Sequence, residues 1–139
     1  MASNPVLILN EIDFPIQHTV ADGTGIEKGT FCKLTDPDTA VAADTRGQAC
    51  AGFNATEKIA SDGVTKLGFV KRAKIRALLS GSATVGDFLC LEGNDDQLII
   101  VNDSGQHIVA QALETGTDGE TIKCYFDLAY GLSDNVVQI

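Results

Sequence analysis

Tryptophan is absent from this 139-residue chain, methionine occurs once, histidine twice and proline three times. The aromatic side chains are six Phe and two Tyr, which leaves few flat platforms for stacking a sugar or a base. Basic residues are scarce as well: ten Lys and Arg stand against 19 Asp and Glu, for a net charge of −9. Phosphate binding needs a basic surface, so nucleic acid is not expected as a partner. No run approaches the roughly 18 apolar residues of a membrane-spanning helix, and no membrane partner is expected. The start, Met1-Ala2-Ser3-Asn4-Pro5, has no basic stretch leading into an apolar one, so the expectation is a protein made and folded in a cytoplasm.

Catalytic and metal chemistry is thin on the ground too. Cys32, Cys50, Cys90 and Cys124 are far apart and show no Cys-x-x-Cys or Cys/His spacing, so they read as buried free thiols rather than zinc ligands. His18 and His107 lack a nearby nucleophile setting, and no Gly-x-Ser-x-Gly elbow occurs. The pairs Asp36/Asp38 and Asp95/Asp96 fall in turns, where Asp caps local backbone, and do not follow the calcium-loop pattern. Gly23-Thr24-Gly25-Ile26-Glu27-Lys28-Gly29-Thr30 has the glycines of a phosphate loop but not its Gly-Lys-Ser/Thr order or its strand-to-helix setting. No catalytic residue, cofactor site or metal site is assigned, and the chain is not expected to be an enzyme.

What the sequence does contain is a repeat. Lys28-Gly29-Thr30-Phe31-Cys32-Lys33-Leu34 is matched by Val85-Gly86-Asp87-Phe88-Leu89-Cys90-Leu91. Each copy then reaches a Gly-Gln pair (Gly47-Gln48, Gly105-Gln106), a glutamate (Glu57, Glu114) and an Asp-Gly turn (Asp62-Gly63, Asp118-Gly119). Each closes on an aromatic strand, Leu67-Gly68-Phe69 or Cys124-Tyr125-Phe126. Two copies suggest one pseudo-symmetric domain, because a solenoid needs at least three repeats. Short β-prone runs between Gly, Asp and Asn clusters predict strands near 29–34, 39–43, 48–55, 64–71, 73–79, 86–91, 97–101, 107–114 and 120–127, and no window sustains a helical period. The expected fold is all-β: a single compact barrel or sandwich built from two similar halves, spanning residues 22–127.

Residues 1–21 read as an extended N-terminal arm and 128–139 as a short C-terminal tail ending Val136-Val137-Gln138-Ile139. Within the arm, Val6-Leu7-Ile8-Leu9 predicts an edge strand limited by Pro5 and Pro15. It either packs on its own domain or lies across a neighbour. Arg72, Lys74 and Arg76 would share one face of a strand, in a window without an acid between Asp62 and Asp87. Such a row protects a sheet edge against unwanted pairing, or it docks an acidic partner.

The series Ile26-Glu27-Lys28-Gly29-Thr30-Phe31-Cys32-Lys33-Leu34-Thr35, with Ala51-Gly52-Phe53, Glu57-Lys58, Val85-Gly86-Asp87 and Ala110-Gln111-Ala112-Leu113-Glu114, resembles the capsid decoration (cement) proteins of tailed bacteriophages, whose small β-barrel is called a tulip domain. The resemblance covers residues 22–127. It implies a virion protein on the outer capsid surface that bridges and stabilises the major capsid protein and associates with its own kind, as trimers and sometimes dimers. Val6, Leu7, Ile8, Leu9, Phe14, Arg72, Lys74 and Arg76 would then contact the shell or sister subunits. Two alternatives remain. One is a head-fibre base or minor virion component on the same domain; the other is a small β-barrel binding module or nucleotide-hydrolysing enzyme.

Overall fold

A computed structural model describes residues 6–133. The apolar tail at 136–139 lies outside the described residues. The fold is all-β and, as expected, is built from two similar halves, but each half closes into a barrel of its own. The strands are β1 (Leu7–Glu11), β2 (Ile16–Thr19), β3 (Phe31–Thr35), β4 (Thr39–Ala42), β5 (Cys50–Asn54) and β6 (Lys66–Val70), then β7 (Arg72–Leu79), β8 (Phe88–Leu91), β9 (Gln97–Ile100), β10 (Ala110–Ala112) and β11 (Thr121–Asp127). A 3-10 turn follows at Leu128–Tyr130.

The first barrel runs β2-β4-β3-β5-β6 and closes β6 on β2. The second runs β7-β9-β8-β10-β11 and closes β11 on β7. Strand for strand the wiring is identical. In each, the first strand meets the third in parallel: Thr19 opposite Thr39 in one, Leu78 and Leu79 opposite Gln97 and Leu98 in the other. All remaining ladders are antiparallel.

Equivalent side chains do equivalent work in the two copies. Gln48 Oε1 accepts from the amides of Asp44 and Thr45, and Gln106 Oε1 accepts from those of Asn102 and Asp103. The glycine before each amide sits at positive φ (Gly47 72°, Gly105 82°), where a side chain would be strained. The bridge Ile26–Lys58 in the first copy recurs as Ala83–Gly116 in the second.

Alternation explains the long strands. β7 reads Arg-Ala-Lys-Ile-Arg-Ala-Leu-Leu, with every second residue buried. Val20, Ile26, Cys32, Ala40, Ala51, Leu67 and Phe69 fill the first barrel. The second barrel's core does not stop at its own wall, because Phe31, Ala43, Phe53 and Val70 of the first barrel belong to the same cluster. Phe31, Phe53 and Phe126 form its aromatic centre, with ring centroids 5.2 to 6.1 Å apart. Burial pushes the thiols of Cys50 and Cys124 up to about 12 and that of Cys90 to about 11, and all four cysteines are free.

One boundary differs from the sequence reading. The arm ends at Pro15, not at residue 21, since Ile16–Thr19 is the first strand of a barrel. The chain after 127 folds back along 105–108: Gly105 N donates to Ser133 O, Ser133 N to Gln106 O and Ile108 N to Gly131 O.

Candidate interaction surface

The arm and the basic row, predicted separately from sequence, meet on one sheet. β1 pairs antiparallel with β7, placing Leu7 beside Arg76, Ile8 beside Ile75, Asn10 beside Lys74 and Glu11 beside Ala73, with an irregularity at Leu9. β7 is therefore not an edge strand. It has β11 on one side and, on the other, β1 along Ala73 to Arg76 and β9 at Leu78 and Leu79, and the reading of Arg72, Lys74 and Arg76 as protection for a sheet edge is corrected: β1 covers that stretch. Local sequence could not reveal this, because the covering strand comes from over sixty residues upstream.

Val6 is buried in the shared core, and its amide donates to Gly29 O at 3.0 Å. Beyond it the arm turns outward. Leu7, Ile8, Leu9, Ile12, Phe14 and Ile16 are all exposed, Phe14 to 90%. Folded monomers seldom leave so many large apolar side chains together in water without a use for them. Val6, Leu7 and Ile8 also form one wall of a cleft of about 250 Å³, whose other walls are Lys28, Gly29, Phe53, Asn54 and Ala55.

The basic row is partly neutralised from within. Arg72 Nε lies 3.3 Å from Asp13 Oδ2 without hydrogen-bond geometry, and Arg76 pairs with Glu114 at 3.6 Å. Glu114 also accepts from the Lys123 amide at 2.9 Å. It thereby offsets the like-charge contact of Arg76 with Lys123, which sit directly opposite. Lys74, between Asn10 and Tyr125 in register, has no ion-pair partner among the described residues. One consequence of the row is thus to hold the arm, through Asp13.

An aromatic extension of this face escaped the sequence reading. Tyr125, Gln111 and Phe88 continue the line from Lys74 across β11, β10 and β8. The Tyr130 ring stands 5.3 Å from Phe88 and 6.4 Å from Tyr125. The period-two alternation of 121–127 carried the signal for Tyr125; Tyr130, from the 3-10 turn, had none.

Among the described residues, no group of three or more His, Cys, Asp or Glu is placed to hold a metal ion. The glycine-rich stretch 23–30 forms turns and the Ile26–Lys58 bridge, and no helix follows it.

No protein-family model and no curated protein matches this chain. Its fold is similar to that of a solved structure, the head fiber gp8.5 N base of bacteriophage phi29. The TM-score is 0.57 at 12% identity, over 86% of this chain and 98% of that one. At that identity the likeness speaks to the fold, and here that means both barrels together.

Proposed function

We propose that this chain is a structural virion protein of a tailed phage, seated on the outer surface of the head and gripping the major capsid protein through its apolar arm. The observation that carries this reading is the two-barrel fold, shared with a phage head-fibre base over almost the whole of that chain. The exposed run from Leu7 to Ile16 supports it by supplying a sticky segment next to Arg72, Arg76 and Tyr125, residue types enriched at protein interfaces. A ligand that binds an assembled shell but not its loosened state stabilises the shell by mass action, and copies acting together add avidity. On this reading several copies of the chain associate at the shell, and no catalysis is involved.

Two forms of the role differ in number. A cement protein covers the shell; a fibre base occupies a few positions, and the fold likeness favours that form. Quantitative mass spectrometry of purified particles separates them. A ratio to the major capsid protein near one supports cement, whereas a few per hundred supports the fibre base. Absence from particles overturns the virion reading. Deleting residues 2–15 is a blunt test of the arm because it also removes Val6 from the core. Phe14→Asp is sharper: at 90% exposure it should change stability by no more than about 0.5 kcal/mol. It should nonetheless abolish co-sedimentation with expanded capsids. Normal binding by this variant would remove Phe14 from the contact.

A further inference from the structure

We propose that Lys71, His18 and Asp38 form a proton-sensitive latch on the joint between the two barrels. Lys71 is the single residue between β6 and β7, so its backbone is the joint. Its carbonyl accepts from the Leu128 amide at 3.3 Å, tying the end of the second barrel to the same point. Its side chain reaches back over the first barrel, donating to Ala51 O at 2.6 Å and meeting His18 Nε2 at 2.5 Å. His18 Nδ1 in turn lies 2.7 Å from Asp38 Oδ1 on the β3–β4 hairpin. The imidazole is buried, 8% exposed, against the ring of Phe69 at 5.6 Å.

The chemistry of the donors sets the direction of this chain. An ammonium has three N–H groups and no lone pair, so Lys71 can only donate. Nε2 must therefore be the bare nitrogen of a neutral imidazole, with the proton on Nδ1 donated to Asp38. A proton taken up by His18 lands on Nε2 and points an N–H at the ammonium. The attraction becomes a repulsion between two cations, and half-buried Lys71 is already disfavoured as a cation, chiefly by burial. Lys71 then leaves for solvent, Ala51 O loses its donor, and the joint is freed from the wall of the first barrel.

The groups facing the ring are few. Asp38 comes from the hairpin that also carries Asp36; Lys71 comes from the joint, with Arg72 next in sequence. Cys50 of β5 lies against Lys71 with its thiol pushed up to about 12, and so stays neutral. β6 contributes Phe69, which is uncharged.

Nitrogen-15 NMR of the histidine side chains in the full chain tests the proposal. At pH 7.5, His18 should show a protonated Nδ1 and a bare Nε2. On acidification, the backbone amides of Lys71 and Leu128 should shift together with the His18 ring nitrogens. In Lys71→Met the acid-induced shift of the Leu128 amide should be lost, because no cation remains to be expelled. Asp38→Ala should weaken the preference for a protonated Nδ1, and His107 should be unmoved by either change. A proton on Nε2 of the wild-type ring at pH 7.5, or an acid-induced shift of the Leu128 amide that persists in Lys71→Met, overturns the latch. The wild-type tautomer decides the matter even if a variant folds poorly.

Discussion

Truncating Phe126 to alanine tests whether the two barrels share one core. Phe126 belongs to β11 of the second barrel and is 0% exposed, yet its ring lies 5.2 Å from Phe53 and 5.9 Å from Phe31, both of the first. Removing a fully buried phenyl ring in such a setting costs about 3–5 kcal/mol, part in lost transfer energy and part in the cavity left behind. For a chain of this size a kilocalorie moves the melting temperature by ~3 °C, so the drop should be ~10–15 °C. The shared core also makes the wild type melt in one cooperative step. A double-mutant cycle with Phe53→Ala isolates the contact itself, and the edge-to-face pair should couple by about 0.5–1.5 kcal/mol. Differential scanning calorimetry and urea titration supply both numbers. Two separate wild-type transitions, or a Phe126→Ala cost no larger than a surface change, would refute the common core.

Further outcomes follow from single sites. Lys58 Nζ is fully buried and bonded to Asp62 Oδ1 (2.6 Å), Asp22 Oδ1 (3.1 Å), Asp22 O (2.9 Å) and Ile59 O (2.6 Å), so Lys58→Met should lower the melting temperature and speed amide exchange at Ser61 and Gly63. Lys58 and the Val64 amide hold the Asp62 carboxyl below its ordinary range. The stability this adds is present above the unfolded value of about 4. It should fade as pH falls through the lower folded value, a loss that Asp62→Asn should flatten in melts between pH 7 and 3. Gly52→Ala would set a Cβ 2.2 Å from Val70 O and should be strongly destabilising, whereas Gly63→Ala meets nothing within 4 Å and should cost only the ~1 kcal/mol of its positive φ. Gln48→Ala and Gln106→Ala should each deprotect their own pair of amides, Asp44/Thr45 and Asn102/Asp103, in hydrogen exchange.

The duplication was legible because its punctuation is chemical. Gly47-Gln48 and Gly105-Gln106 are needed wherever a positive-φ residue must be followed by an amide that folds back on two backbone N–H groups. Phe31 and Phe88 match one residue off that spacing, 57 positions apart against 58 for Gly47 and Gly105, and β3 and β8 begin on those residues. Closure into two barrels was not legible, because the pairings that close them, such as Ile16 with Phe69 and Ala73 with Phe126, span over fifty residues. β2 was lost to the arm because Pro15 precedes it and only four residues follow. The candidate contact residues fall on one arm, exposed from Leu7 on but with Val6 turned into the core, and on one row of cations. Their adjacency was hidden, since a strand's neighbour is chosen by tertiary packing and not by its own alternation.

The wiring of the two halves has a consequence for synthesis. Each barrel is a contiguous stretch of chain, so the first is complete when residue 70 has left the ribosome. At roughly 5–20 residues per second, the second barrel trails it by several seconds. During that interval Phe31, Phe53 and Val70, which end up in the joint core, have no cover. The arm, made before either barrel, waits as well, because β7 must exist before β1 can pair with it. The nascent protein thus carries two unsatisfied apolar surfaces at once, and a segment synthesised ahead of both barrels is among the last to dock.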